Sequence, residues 1–335
     1  MIRVAINGFG RIGRNTFKAS FGRLKGLEFV AVNDLTDTKT LAHLLKHDTS
    51  YGTYDHEVSR DDKHLIVDGK KIRVYAEKDP TKLPWAAEKI DVVIESTGRF
   101  TDEAGAGQHL TAGAKRVVLS APAKGGAIPT HVLGVNADDY DGKAKIINNA
   151  SCTTNCIAPV AAVIHSAFGV KKALMTTIHS YTADQVLQDG PHKDLRRGRA
   201  AAMNMVPTST GAAIAVTETI PELKGLFDGL SIRVPTSVVS CADFTFVLAK
   251  KTTVEEVNAV IKKACATKRF KGIMDCTEEE LVSSDFIKNP HSSIVDLGLT
   301  QVVDGDLIKI VAWYDNEWGY SCRLGEMVQQ VGESI

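Results

Sequence analysis

Excess charge of either sign is absent: 40 lysines and arginines balance 40 aspartates and glutamates over 335 residues. A chain that is neutral overall has no global attraction to nucleic acid or anionic lipid, so any affinity for phosphate must be local. Long apolar runs are missing too, and none reaches the length of a membrane span. The opening residues MIRVAINGFG enter a strand pattern directly, with no charged n-region and apolar h-region, so the expected location is the cytoplasm. Cysteine is sparse, and six dispersed residues suit a reducing compartment rather than a small disulfide framework. The pair Cys152 and Cys156 is too small a set for zinc or an iron–sulfur cluster, so no metal is expected. Repeats and low-complexity tracts are lacking as well.

What is present begins with NNASCTTNC at 148–156. Cys152 stands among Ser151, Thr153, Thr154 and Asn155, directly before the apolar run 157–164, as a thiol at a helix N-terminus would. Orphan backbone N–H groups and the helix dipole favour the thiolate there, and the thiolate is the nucleophile. The pattern predicts an easily ionised thiol and covalent chemistry on a carbonyl. Cys156, one turn on, reads as core. Pro159 lies beyond the first turn and is expected to bend the axis.

The length predicts two domains. In the first, an apolar run at 2–6 precedes Gly8-Phe9-Gly10-Arg11-Ile12-Gly13, which fits G-x-G-x-x-G, and a helix follows at 14–21. A strand at 29–33 then ends at Asp34, where the ribose-reading acid of a dinucleotide-binding βαβ unit belongs. Further strands are expected at 67–75, 91–95, 117–119 and 146–147. Small polar residues close two of these runs, so Ser96, Thr97 and Ser120 are candidate cofactor contacts in the crevice at the strand ends.

Beyond Cys152 the strand candidates lengthen, at 173–179, 230–235, 245–249 and 307–314, and predict a largely antiparallel sheet. Helices are expected at 255–266 and 319–331. The stretch 180–210, rich in Gly, Pro, Arg and Met, has no period, and a loop of that length in a compact domain is usually functional.

Seven segments in order, INGFGRIGR (6–14), ASCTTNC (150–156), HSYT (179–182), PHKDLRRGRAAA (191–202), PTSTGAA (207–213), RVPT (233–236) and YDNEWGYS (314–321), resemble the phosphorylating glyceraldehyde-3-phosphate dehydrogenase family. The resemblance implies an α/β fold: a Rossmann-type NAD-binding domain at 1–150, and an α+β catalytic domain at 151–316 with a mostly antiparallel sheet. A C-terminal helix at 317–335 would return to the first domain. It implies oxidation of glyceraldehyde 3-phosphate to 1,3-bisphosphoglycerate with NAD and inorganic phosphate, through a thiohemiacetal and a thioester, in a homotetramer. Cys152 matches the family's nucleophile and His179 its base. Thr182 and Arg233 match the clamp for the C3 phosphate, while Ser151, Thr153, Arg197, Thr210 and Gly211 match the inorganic-phosphate site. Among Arg196, Arg197 and Arg199, any could be a solvated or interface charge; Arg197 is the choice. For the cofactor, Gly8, Gly10, Arg11 and Ile12 fall at the glycine turn, Asp34 at the ribose, Lys78 near the adenine and Asn316 beside the carboxamide. Asp34 and Pro191 favour NAD over NADP, whereas Gly190 departs from the leucine often found there. Two other readings stand beside this one: an erythrose-4-phosphate dehydrogenase and a noncatalytic NAD-binding redox sensor.

Overall fold

Eight short strands build the first sheet of the computed structural model, which describes residues 1–335. The elements follow one another as β1 (Ile2–Asn7), α1 (Arg11–Ser20), β2 (Leu27–Asn33), α2 (Thr38–Lys46), the short ribbon β3 (His47–Asp48) and β4 (Gly52–Thr53), then β5 (Val58–Arg60), β6 (His64–Val67) and β7 (Lys70–Tyr75). After these come β8 (Val92–Glu95), α3 (Glu103–Thr111), β9 (Arg116–Leu119) and β10 (Ile146–Asn148). The strand order is β10-β9-β8-β1-β2-β7-β6-β5, parallel from β10 to β7. The chain runs from β1 to β2 on one side and later to β8 on the other, so the topological switch point lies at β1, where the glycine turn is.

The single strand expected over 67–75 is instead a hairpin. Asp68 and Gly69 take φ of 47° and 76°, the two left-handed positions of a type I′ turn, which a reading of apolar runs alone passes over. Apolar strand faces and Trp85 form this unit's core with Ala5, Ala31, Ile90 and Val93. Each such large buried side chain contributes roughly 1.5–3 kcal/mol. Asp37 and Asp102 cap α2 and α3 by accepting from the N–H of Thr40 and Gly105.

The second unit consists of α4 (Cys152–Phe168), β11 (Val170–Ser180), β12 (Val206–Ser209), α5 (Ala212–Thr219), β13 (Phe227–Val234), β14 (Ser240–Leu248), α6 (Val254–Cys265), β15 (Met274–Thr277), β16 (Ser293–Val303) and β17 (Leu307–Tyr314). Its strands run in the order β12-β13-β11-β14-β17-β16-β15, with parallel pairing only at β13/β11 and β16/β15. The sheet is therefore mostly antiparallel, and the chain has the α/β class the sequence implies. β14 alternates strictly, burying Phe244, Phe246 and Leu248 on one face. A Thr253–Glu256 capping box starts α6. β16 went unread because its apolar residues are interrupted by Asp296, Gly298 and Gln301, and its register with β17 shifts between Asp296 and Gln301.

By contacts the units comprise 1–131, 137–150 and 321–335, and 132–136 with 151–320. The last helix, α7 (Trp318–Glu333), belongs to the first unit from Ser321 on. Close approach explains its glycines: a Cβ on Gly325 would stand 2.2 Å from Ser20 Oγ, and one on Gly332 2.5 Å from Ile2 Cγ2.

Candidate active site

In the first unit the strand ends carry a row of polar side chains. Asn7, Asn33 and Glu95 are the last residues of β1, β2 and β8 and lie opposite one another in register. Asn7 Nδ2 donates to Glu95 Oε2 at 2.5 Å, and Asn7 Oδ1 accepts from Asn33 Nδ2 at 2.7 Å. Asn33 goes on to hold Glu77 by donating to its carbonyl and accepting from its N–H, both at 2.9 Å. The other Glu95 oxygen accepts from the N–H of Thr97 at 2.8 Å and from its hydroxyl. Beneath lies His109, whose Nδ1 accepts from Trp85 Nε1 at 3.1 Å. An indole nitrogen only donates, so the imidazole proton sits on Nε2 and points at Glu95 Oε2, 3.0 Å away. This row fixes three strand ends and the loop after β7 at once. The sequence did signal it, in the closing residues of VAIN, VAVN and VVIE.

On that base rests the glycine turn. Gly8 has φ of +91°, and a Cβ there would meet Thr97 N at 2.7 Å; at Gly13 a Cβ would meet the Gly8 carbonyl at 2.2 Å. Gly10 is different: it caps α1 without a side-chain bond, and a Cβ would meet nothing within 4 Å. Open space thus faces the first turn of α1, where Arg11 and Ile12 begin the helix and its N–H groups lack intrahelical partners. Those donors fit a pyrophosphate. Asp34 follows β2, its carboxylate accepting from Phe9 N at 2.8 Å and Thr36 N at 3.0 Å. Lys78 is exposed on the loop after β7, and Ser120 directly follows β9. The Ser96 hydroxyl donates to the Gly8 carbonyl at 2.7 Å and the Thr97 hydroxyl to Glu95, so both side chains shape the turn and are spent on it.

In the second unit Cys152 opens α4. Ser151 is the N-cap, accepting from Thr154 N at 3.0 Å, and the helix continues through Pro159 for 17 residues. Cys152 Sγ lies 3.4 Å from His179 Nε2. His179 Nδ1 sits 2.7 Å from the Ser180 carbonyl, an acceptor only, and 3.3 Å from Arg233 Nη1, a donor only; the shorter contact puts the ring proton on Nδ1 and leaves Nε2 facing the sulfur bare. Both residues are held from behind by Tyr314, missed in the sequence. Its hydroxyl bonds Thr153 Oγ1 at 2.9 Å and Thr177 Oγ1 at 2.8 Å, and its ring meets the His179 imidazole edge to face. The Thr153 hydroxyl is thereby buried and occupied.

Burial acts against the easy ionisation expected of this thiol. Burial pushes the Cys152 thiol above its ordinary value, although Arg233, the Thr153 hydroxyl and the backbone N–H groups of Thr153 and Cys152 all pull the other way. Burial, then Arg233, also lowers His179 to about 3. Helix-end donors and Arg233 favour the thiolate while desolvation opposes it, so opposite causes meet at this sulfur. Cys156 is fully buried, donates to Ser293 Oγ at 3.6 Å and is also pushed up by burial.

Arg233, at the register position facing His179 across β11 and β13, donates through Nη1 to Thr182 Oγ1 at 2.8 Å; its Nε is buried with no partner. Of the three nearby arginines only Arg197 turns inward, donating to Thr208 Oγ1 at 2.9 Å, the Ser209 carbonyl at 3.3 Å and Asp184 at 2.6 Å. Arg199 is exposed and paired with Asp189, and Arg196 is exposed. Thr210 accepts from Ala212 N, and Gly211 caps α5. Asn316 is buried and accepts from Ser240 Oγ at 3.0 Å, while Ser240 accepts from Ser180 N at 3.1 Å. No group of His, Cys, Asp and Glu side chains is arranged to hold a metal ion.

Comparison with known proteins agrees with both halves. Residues 2–103 match the glyceraldehyde 3-phosphate dehydrogenase NAD binding domain, and residues 151–316 match the glyceraldehyde 3-phosphate dehydrogenase C-terminal domain. Over 341 residues the chain is 54% identical to a glyceraldehyde-3-phosphate dehydrogenase of Mycolicibacterium smegmatis, covering 100% of this chain and 99% of the relative. It is 53% identical over 336 residues to that of Borreliella burgdorferi, covering 98% and 99%, and 54% identical over 331 residues to that of Geobacillus stearothermophilus, covering 98% of each. Two matched domains and near-complete coverage at this identity place the chain in the glyceraldehyde 3-phosphate dehydrogenase family.

Proposed function

We infer that this chain is an NAD-dependent oxidoreductase that converts D-glyceraldehyde 3-phosphate and inorganic phosphate to 1,3-bisphosphoglycerate in glycolysis and gluconeogenesis. The observation that carries the chemistry is the bare Nε2 of His179 at 3.4 Å from Cys152 Sγ. The Cys152 proton passes to Nε2 as sulfur attacks the aldehyde carbon, and the thiohemiacetal oxygen then takes that proton. His179 next accepts the hydroxyl proton as the C–H bond gives up its hydride. NAD, when bound, accepts that hydride. The product on Cys152 is a thioester, which phosphate oxygen attacks to give the acyl phosphate and return the thiol. A neutral imidazole suits both duties, because it can take a proton at either stage.

Thr182 and Arg233 are assigned to the C3 phosphate, and Arg197 with Ser151, Thr153, Thr210 and Gly211 to the attacking phosphate. Support comes from the inward arginines and the helix ends at Ser151 and Gly211. With the Thr153 hydroxyl bonded to Tyr314, its contribution would be its backbone N–H. In the first unit, Gly8, Gly10, Arg11, Ile12, Asp34, Lys78, Ser96, Thr97 and Ser120 are assigned to NAD or to shaping its turn, as is Asn316 in the second. Asp34 would repel a 2′-phosphate.

A homotetramer acting in the cytoplasm is part of this reading. Leu187, Leu195, Met203 and Met205 are exposed along the 180–205 stretch, as a face that meets another subunit would be. No helix is long and apolar enough to cross a membrane. The erythrose-4-phosphate and noncatalytic sensor readings are not favoured by the relatives found. Reduced protein supplied with triose phosphate, NAD and phosphate should form NADH only when phosphate is present. A strong preference for the tetrose, or no NADH at all, would overturn the reading.

A further inference from the structure

Between the two arginines of the second unit stands a carboxylate that the reaction does not use. One Asp184 oxygen accepts from the Thr182 hydroxyl, and the other lies 2.6 Å from Arg197 Nη1. Thr182 Oγ1 accepts in turn from Arg233 Nη1 at 2.8 Å, so a continuous chain runs from Arg233 through Thr182 and Asp184 to Arg197. The remaining Arg197 nitrogens are occupied by Thr208 and the Ser209 carbonyl. Asp184 thus holds the Arg197 nitrogen and the Thr182 hydroxyl that an oxyanion would need. Partial burial alone would push its carboxyl up, but the Thr182 hydroxyl, Arg233 and Arg197 together outweigh this and keep it ionised.

We propose that Asp184 is an internal counter-ion: it occupies Arg197 and Thr182 between turnovers, phosphate must displace it, and its charge sets how tightly the site holds phosphate. The inference rests on the assignment of Arg197 and Arg233 to phosphate made above. Its chemical sense lies in release. The product carries two phosphate groups, and two guanidinium groups without a competing anion would retain it. With the carboxylate returning as phosphate leaves, Arg197 regains its counter-charge and the exchange runs both ways.

Asp184→Asn keeps the shape and an acceptor oxygen but removes the charge. Inorganic phosphate is the probe, read in two titrations: the NADH rate, and the rise in melting temperature of the NAD-loaded protein. Half-saturating phosphate should fall about three- to tenfold in both, a modest factor because the Asp184 side chain is 43% exposed and solvent screens it. Asp184→Glu should return both values towards wild type, and Asp184→Ala, read in the same titrations, carries the same expectation as the asparagine variant. An unchanged value would remove Asp184 from phosphate binding, and a raised one would show that it orients Arg197 instead of competing for it; either overturns the proposal. Arg197→Ala separates the two levels. If it keeps the full phosphate-dependent melting shift, the phosphate assignment itself fails, whatever Asp184 does.

Discussion

The strand ends of the first unit and the catalytic residues of the second treat buried polar groups in opposite ways. Around Asn7 the partners are local and complete: two amides, a carboxylate, an imidazole and an indole satisfy one another in a closed row. Around Cys152 they are held under tension. The thiol is pushed up, the imidazole is pushed down, Arg233 Nε has no partner, and Val239, whose carbonyl accepts from Ser180 Oγ, takes φ of 70°, a strained angle for a β-branched residue. A region that positions backbone for a ligand gains from a satisfied network. A region that must move protons keeps groups whose protonation is poised to change.

The largest effect should come from breaking the tense side. His179→Asn removes the proton acceptor and should slow acylation of Cys152 by roughly two to four decades, measured as the single-turnover burst of NADH. Stability should move the other way in acid. Because His179 stays neutral down to about 3 when folded but titrates near its ordinary 6.5 when unfolded, the unfolded chain binds more protons between those values. Native stability is thus full above about 6.5 and drains away as pH falls towards 3, and the variant lacks that drain. Melting curves at descending pH should show His179→Asn gaining on wild type; a variant that loses activity and acid stability together would mean His179 is merely structural.

A second cut addresses the satisfied side. Asn7→Ala leaves Glu95 and Asn33 buried without their shared partner, at a cost of about 1–3 kcal/mol. Chemical denaturation should register that loss, with the single-turnover rate at saturating NAD close to wild type. Should the rate collapse while stability holds, the row around Asn7 would belong to the chemistry and the contrast between the regions would be wrong.

How much of this was written in the residues differs between the two regions. The glycine turn, Asp34 and the ends of β1, β2 and β8 follow from local patterns, since each apolar run stops at the residue that does the work. Local pattern also explains Cys152, whose N-cap Ser151 is next to it in sequence. His179, Arg233 and Tyr314 were not legible that way: they come from three different strands, and only the resemblance singled out the first two. Their meeting depends on the order of β13, β11, β14 and β17, which is a property of the whole sheet. The thiol's surroundings divide the same way, because a helix N-terminus is a local feature and the burial that opposes ionisation is not.

The smallest expected effect is the sharpest test of what the first unit is for. Gly13 and Gly10 both belong to the glycine motif, yet a Cβ on the first would overlap the Gly8 carbonyl, while one on the second would meet nothing. Gly10 has φ of −70°, which alanine adopts without strain. Gly10→Ala should therefore change stability by no more than about 0.5 kcal/mol. Its methyl group would nonetheless stand over the N-terminal N–H groups of α1, and NAD affinity, read by calorimetric titration, should weaken several-fold. A loss of binding without a loss of stability would mean that this glycine keeps space for the pyrophosphate, whereas unchanged binding would place the pyrophosphate elsewhere and remove the open end of α1 from the cofactor site.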